Sequence, residues 1–514
     1  MFMNRKMMWV AVSALTMTST ALAQDAKLNP GKMTTEWGEQ VTPENAWRTY
    51  PRPQLKRNQW ASLNGLWDYA ILPRDTSKPD DFHGKILVPF APESALSGVQ
   101  QTVKPEERLW YRRTFHIPDD WKGKAVLLHF DAVDWEAEVW LNGKKLGVHR
   151  GGSDPFHFDI SKFMKKGEQQ LEVAVWDPTD TGTQPRGKQV LDPKGIWYTP
   201  VTGIWQSVWL EPIEKTYITT ILPEPDIDRG LVVLKNSVEG ASGGEQLQIK
   251  VLDGGETIAE ATAVPNQPVS IAMPDARLWS PADPHLYQLD IRIVKGNRVL
   301  DRVDSYFAMR KIAKGKDELG YERMLLNNKP LFQYGPLDQG WWPDGLLTPP
   351  SEKAMLYDME VLKKMGFNML RKHIKVEPSR YYYYADSIGL LVWQDMVSGF
   401  ATAERDVQHV KATAESDWAR PAESAAQFEA EWKAIMDHLR FFPSIVVWVP
   451  FNEGWGQYDT KRVVEWTMAY DPSRIVNGVS GWTDRNVGHM NDAHHYPGPG
   501  MEPASQNPGR IIAL

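Results

Sequence analysis

The sequence predicts three domains in series: a β-sandwich or jelly roll, a second β-sandwich, and an incomplete (β/α)8 barrel. Three observations carry this reading. Residues from about 63 to 212 form short alternating strands broken by turns, with no sustained helical period. Residues from about 215 to 312 repeat that pattern with Gly-rich turns. From about 313 onward, apolar runs alternate with helical patterns, the mark of βα units. A length of 514 residues suits about three domains.

Composition narrows the function classes. Hydrophobic residues make up 42% and charged residues 24%, as in ordinary globular proteins. The net charge of −7 is mild, which argues against nucleic acid or an anionic membrane surface as partner. No Cys is present, so disulfides, thiolate catalysis and Cys-metal sites are excluded. The 23 Trp suit sugar binding, because pyranose faces stack on aromatic rings, although most Trp are expected in the core. Arg5 and Lys6, the apolar stretch 7–15 and Ala21-Leu22-Ala23 read as a secretory signal over 1–23. A soluble exported protein, periplasmic or secreted, is the expectation, with Gln24 as its first residue.

Taken in order, residues 24 to 60 are polar with scattered Pro and Trp, and read as an arm lying on the first domain. Trp110-Tyr111-Arg112-Arg113-Thr114-Phe115-His116-Ile117 and Leu171-Glu172-Val173-Ala174-Val175-Trp176 alternate as strands. Val139-Trp140-Leu141 meets Asn142-Gly143, a hairpin turn signal. These motifs, with Leu109, Gly147-Val148-His149-Arg150-Gly151-Gly152 and Gly203-Ile204-Trp205-Gln206-Ser207-Val208-Trp209-Leu210, resemble the sugar-binding domain of glycoside hydrolase family 2. That family holds β-galactosidases, β-glucuronidases and β-mannosidases. The resemblance implies a jelly-roll sugar-binding domain over 24–213. Leu278-Trp279-Ser280-Pro281 and Pro284-His285-Leu286-Tyr287 resemble the end of the family's immunoglobulin-like domain, here 214–312, and this domain reads as a spacer.

The barrel occupies 313–514. A first strand is expected at 331–334. Ser351 then caps a helix bearing Met355, Met359, Leu362 and Met365, ended by Gly366. Strands follow at 368–373 and 390–394. Phe428, Trp432, Ile435, Met436 and Leu439 line one face of a helix. The fourth strand is the apolar run from Ser444 to Val449, suited to burial on both faces. Asp459 is expected to cap a helix leading to a fifth strand at 475–478. A sixth lies near 487–492, and 511–514 starts a seventh, one short of closure.

Chemistry centres on the end of the fourth strand. Asn452-Glu453-Gly454-Trp455 places a carboxylate where barrels build active sites. Glycoside hydrolysis uses two carboxylates, one protonating the leaving oxygen and the other attacking or activating water. Glu453 is the candidate acid/base, and it must hold its proton in the substrate complex. The resemblance places Asn452 on the sugar 2-hydroxyl and Arg371 beside the nucleophile. His373 matches the same motif and is expected to line the pocket. Ile374-Lys375 depart from the family's usual aromatic and Pro, which leaves that loop's sugar contacts open. Asp395, past the third strand, is a candidate for a sugar hydroxyl. His495 and Tyr496, after the sixth strand, are candidates for contact with sugar or nucleophile. Trp341, Trp342, Trp455 and Trp482 are candidate stacking platforms. No metal site and no cofactor are expected.

In the resembled family a Glu ending the seventh strand is the nucleophile. Arg510-Ile511-Ile512-Ala513-Leu514 resembles the entry to that strand, so the sequence reads as truncated before the nucleophile. Glu502, in a Pro/Gly-rich loop, is not expected to substitute. The leading reading is a retaining, exo-acting, β-galactosidase-like hydrolase. The alternative is a catalytically silent carbohydrate-binding fragment. The partner is a β-linked carbohydrate, and homo-oligomerisation stays open.

Overall fold

The computed structural model describes residues 33–399 and 416–514. The signal pattern at 1–23 lies outside the described residues. In the first domain a six-stranded antiparallel sheet is built from Gly65–Pro73, Gly84–Val88, Glu107–His116, Glu136–Leu141, Lys144–Arg150 and Glu168–Trp176. It faces a four-stranded sheet of Ala61–Ser62, Ala125–Phe130, Phe156–Asp159 and Val208–Ile213. Alternation decides which side chains go inward. In Glu136–Leu141, Ala137, Val139 and Leu141 are buried, and they join Trp67, Tyr111 and Val173 in the sandwich core. Asn142 and Gly143 take φ of 53° and 78°, the left-handed pair that a tight hairpin needs to match strand twist.

The second domain is a smaller antiparallel sandwich. Three strands, Tyr217–Asp226, Leu231–Glu239 and Val269–Ala272, oppose four, Gln246–Asp253, Glu256–Ala263, Tyr287–Lys295 and Arg298–Phe307. Leu247, Ile249 and Val251 meet Leu289, Ile291 and Ile293 in its core.

A hairpin of Ile312–Lys316 and Glu322–Leu326 leads into the third domain. Its strands are β1 (Leu337–Asp338), β2 (Met369–Lys372), β3 (Leu391–Asp395), β4 (Ile445–Val449, continued by Phe451–Asn452), β5 (Ile475–Val476, continued by Val479–Ser480), β6 (Met490–Asp492) and β7 (Ile511–Ala513). All pair in parallel with their sequence neighbours. The helices are α1 (Glu352–Lys364), α2 (Ser379–Ile388), α3 (Ala422–Leu439) and α4 (Thr460–Tyr470). This is a (β/α)8-type array with seven strands among the described residues. On α3 the predicted face, Phe428, Trp432, Ile435, Met436 and Leu439, is buried against β4 residues Ile445 and Trp448. Each such side chain contributes about 1.5–3 kcal/mol of burial.

Four local expectations change. Residues 331–334 are not a strand. The Asn368 side chain takes their backbone groups instead, donating to the Phe332 carbonyl and accepting from the Tyr334 N–H, and β1 begins at Leu337. Asp459 precedes α4 in a left-handed conformation without capping it; its carboxylate binds Arg462. The cap comes from Asp417, which accepts from the Thr460 N–H and hydroxyl at 2.8 and 2.7 Å. The sixth strand is shorter than 487–492, because Gly488 turns at φ 89° and the His489 ring accepts the Val476 N–H. The arm also reaches beyond the first domain. Thr35 bonds Asp344 and Thr49 bonds Glu352 in the barrel, while Arg57 ties Glu211 of the first domain to Asp301 of the second.

Candidate active site

The parallel register brings five strand ends to one mouth. Asn452 stands opposite Ser480, and Ser480 opposite Asp492. Arg371 projects from β2 and donates from Nε and Nη2 to the two oxygens of Asp395, at 2.9 and 2.8 Å. Nη2 also reaches Asn452 Oδ1 at 2.9 Å, and Nη1 reaches Ser480 Oγ at 2.5 Å. A planar guanidinium suits this because its donors fan out in fixed directions. His373 adds its Nδ1 to Asp395 at 2.8 Å.

Asp395 is fully buried. Burial alone would push its carboxyl up, but Arg371 and His373 more than reverse that and hold it below the usual carboxylate range. Burial also lowers the pKa of His373, despite Asp395.

Glu453 follows β4 with φ 51°, a left-handed conformation rare for a residue with a side chain, and Gly454 continues the turn at φ 77°. Its N–H is fixed to the Ser480 carbonyl at 2.8 Å. His494 Nδ1 lies 2.9 Å from Glu453 Oε1. The other His494 nitrogen meets Ser480 Oγ at 2.8 Å, and that hydroxyl donates to Asp492 Oδ2 at 2.6 Å. Asn452 is buried, and its Nδ2 has no hydrogen-bond partner among the described residues, a donor left for something in the mouth.

The structure therefore gathers Glu453, Asn452, Arg371, His373 and Asp395. Asp395 has both oxygens occupied, so it positions Arg371 and His373. Trp455 is buried and stacks on Trp197 of the first domain, ring centroids 5.3 Å apart. Trp482 is half exposed and donates to the His494 carbonyl at 2.8 Å. Trp341 stacks on Tyr198 at 4.4 Å, whereas Trp342 packs edge-on against Trp37 of the arm. His495 turns away and bonds the Gly498 carbonyl, and Tyr496 is exposed. Glu502 is exposed in its loop, accepting from Asn507.

Sequence reasoning missed His494 and Ser480. The strand period of two gave a usable signal for the first. Asp492 ends β6, so the residue two further on shares its side, and the adjacent histidine does not. Among the described residues no group of three or more His, Asp or Glu is placed to hold a metal.

Comparison with known proteins agrees in domain order. Residues 95–212 match the glycosyl hydrolases family 2 sugar binding domain, 213–310 the family 2 domain that follows it, and 319–496 the family 2 TIM barrel domain. A putative beta-glucuronidase of Formosa agariphila is 29% identical over 386 residues, 72% of this chain and 34% of that protein. A beta-galactosidase of Thermoanaerobacter pseudethanolicus is 26% identical over 390 residues, 72% of this chain and 48% of its own length. The chain thus spans between a third and a half of these relatives. Among solved structures, the beta-D-glucuronidase of Dictyoglomus thermophilum superposes with a TM-score of 0.67 at 21% identity, covering 83% of this chain and 73% of that one. The Ruminococcus gnavus beta-glucuronidase gives 0.67 at 21%, covering 84% and 74%. Likeness at that identity speaks for the fold.

Proposed function

The chain belongs to glycoside hydrolase family 2, and on that premise we propose that it serves as a retaining, exo-acting β-glycoside hydrolase with Glu453 as acid/base. The observation that carries this reading is the left-handed turn at the end of β4, which sends Glu453 into the mouth beside His494 and next to the unpartnered Asn452 amide. In the proposed reaction Glu453 protonates the glycosidic oxygen as the bond to the anomeric carbon breaks. A second carboxylate attacks that carbon, forming a glycosyl-enzyme. Glu453 then takes a proton from water as water displaces the enzyme carboxylate. Asn452 Nδ2 donates to a sugar hydroxyl, and Arg371 fixes Asn452 through its oxygen. The attacking group is proposed to follow β7, the strand that pairs with β6.

Relatives carrying the names beta-galactosidase and putative beta-glucuronidase are about equally similar, so β-galactosides and β-glucuronides are both proposed as substrates. Export rests on the pattern at 1–23, and a mature N-terminus at Gln24 would support it.

The test is hydrolysis of aryl β-galactosides, β-glucuronides and β-mannosides by the protein expressed from its complete reading frame. Glu453→Gln should cost about 10²–10⁴-fold on substrates with poor leaving groups. Hydrolysis that survives Glu453→Gln, or no hydrolysis across the panel, sinks the reading. Sugar binding without hydrolysis would favour a silent carbohydrate-binding protein.

A further inference from the structure

We propose that Lys188, delivered by the sugar-binding domain, reads an anionic substituent on the bound sugar, a carboxylate or a sulfate. The inference rests on the function proposed above and specifies the substrate class of the same site.

Lys188 lies in a loop between strands of the first domain, yet that loop is fastened to the barrel. The N–H groups of Arg186 and Gly187 both donate to the Ser398 carbonyl at 2.9 Å, just past β3. Gly187 has φ 64°, and a Cβ there would come within 3.1 Å of the Ile374 carbonyl. The loop returns on itself, with Tyr198 N–H donating to the Lys188 carbonyl at 2.9 Å. The backbone on either side of Lys188 is therefore fixed to the barrel, and the side chain lines a narrow cleft beside His373, Gln189 and Trp341.

Among the described residues, no carboxylate forms an ion pair with Lys188. The residue is 8% exposed, and among the described residues its ammonium makes no hydrogen bond or ion pair. It sits over the face of Trp455, 5.7 Å from the ring centroid. Three neighbouring cations, Lys372, Lys375 and Arg371, are engaged. Lys372 and Lys375 each hold Glu377 at 2.8 Å, Lys375 also bonds the Gly340 carbonyl, and Arg371 is occupied by Asp395, Asn452 and Ser480. Burial pushes the pKa of Lys188 below the usual lysine value, and the charges of Glu453 and Asp395 only partly oppose that. Glu453 carries a proton in the substrate complex, so it is no counter-ion at that stage, and Asp395 is saturated by Arg371 and His373. A buried ammonium without a fixed counter-charge is costly. An anionic group on the ligand supplies that charge, while a neutral sugar leaves it unmet.

The test is calorimetric titration of the protein from its complete reading frame with D-glucuronate against D-glucose, D-galacturonate against D-galactose, and the 6-sulfates of both hexoses. In one series the anionic sugar should bind at least about tenfold tighter than its neutral parent, less so at high salt. Lys188→Met should cut that ratio at least about tenfold, and Lys188→Arg should keep it within about threefold. A uronate preference assigns the anion as carboxylate, and a 6-sulfate preference assigns it as sulfate. A ratio near one, no binding in any series, or a ratio that Lys188→Met leaves unchanged overturns the inference. Glu453-dependent hydrolysis with a Lys188-independent ratio removes this inference alone. A Lys188-dependent ratio without hydrolysis removes only the hydrolase reading.

Discussion

His494 Nδ1 stands 2.9 Å from Glu453 Oε1, while its Nε2 stands 2.8 Å from Ser480 Oγ. One imidazole thus bridges the candidate acid/base to a hydroxyl that also accepts from Arg371 and donates to Asp492. The bridge spans β4, β5 and the loop after β6, so the orientation of Glu453 is set by three elements rather than by its own strand.

Replacing His494 should therefore act on Glu453. His494→Phe removes both hydrogen bonds and keeps a ring of similar size. Loss of a hydrogen bond to an ionisable group costs about 1.5–3 kcal/mol, which is about 10–100-fold in rate. The expected result is a fall of that size in kcat on aryl β-glycosides, with a smaller change in KM and an unaltered circular dichroism spectrum. An unchanged kcat would show that Glu453 is oriented without His494.

Gly481 gives a second handle on the same pair. It has φ 101°, and a Cβ there would sit 3.1 Å from His494 Nδ1 and 3.2 Å from Glu453 Cγ. A methyl group both strains the backbone and presses on the two partners. Gly481→Ala is expected to lower kcat about tenfold or more, since small misplacements of a catalytic group are expensive. Steady-state kinetics beside a thermal melt separates this from unfolding: kcat should fall even where the melting temperature moves little.

Much of this arrangement is legible in the order of amino acids alone. The α3 face is readable because Phe428, Trp432, Ile435 and Met436 repeat at helical spacing. Glu453 is readable because a run apolar at successive positions ends there abruptly. What escapes is set by partners distant along the chain. Asp417 caps α4 from 43 residues away, a role that Asp459 fits on local grounds alone. Asn368 takes the backbone bonds of residues 331–334, an apolar run that reads as a strand in isolation. Lys188 reaches the mouth on a loop from another domain, and no periodicity reports that. His494 and His495 are chemically identical neighbours, separated only by which side of β6 each inherits.

Arg371→Met should be costly for stability as well as for activity. It leaves Asp395 fully buried with only His373 as partner, and stripping one member from a buried pair costs about 3–5 kcal/mol. The effect should depend on pH in a stated direction. In the wild type the folded pKa of Asp395 lies below the unfolded value of about 3.9. Its stabilising contribution is therefore present above about pH 4 and fades as pH falls through the folded value. Denaturation curves of Arg371→Met should show a large deficit at pH 7 that narrows on acidification, beginning above about pH 4 because burial without Arg371 pushes the Asp395 carboxyl up. A deficit independent of pH would assign the cost to packing alone.

Glu431 predicts the opposite slope. It projects from α3 into the contact with the first domain, accepting from Trp135 Nε1 at 3.3 Å and Gln427 Nε2 at 2.8 Å. Burial, reinforced by Asp154, pushes its carboxyl up to about 8, above the unfolded value of about 4.3. Between those two values the folded state holds a proton that the unfolded state has lost, so stability falls as pH rises across the window. One group contributes at most about 1.4 kcal/mol per pH unit to that decline. Glu431→Gln cannot ionise and keeps an oxygen for Trp135, so it should flatten the fall in melting temperature from pH 5 to pH 8. At pH 9 it should be more stable than the wild type. Parallel pH profiles for the two proteins would mean that Glu431 is not the group ionising at this interface.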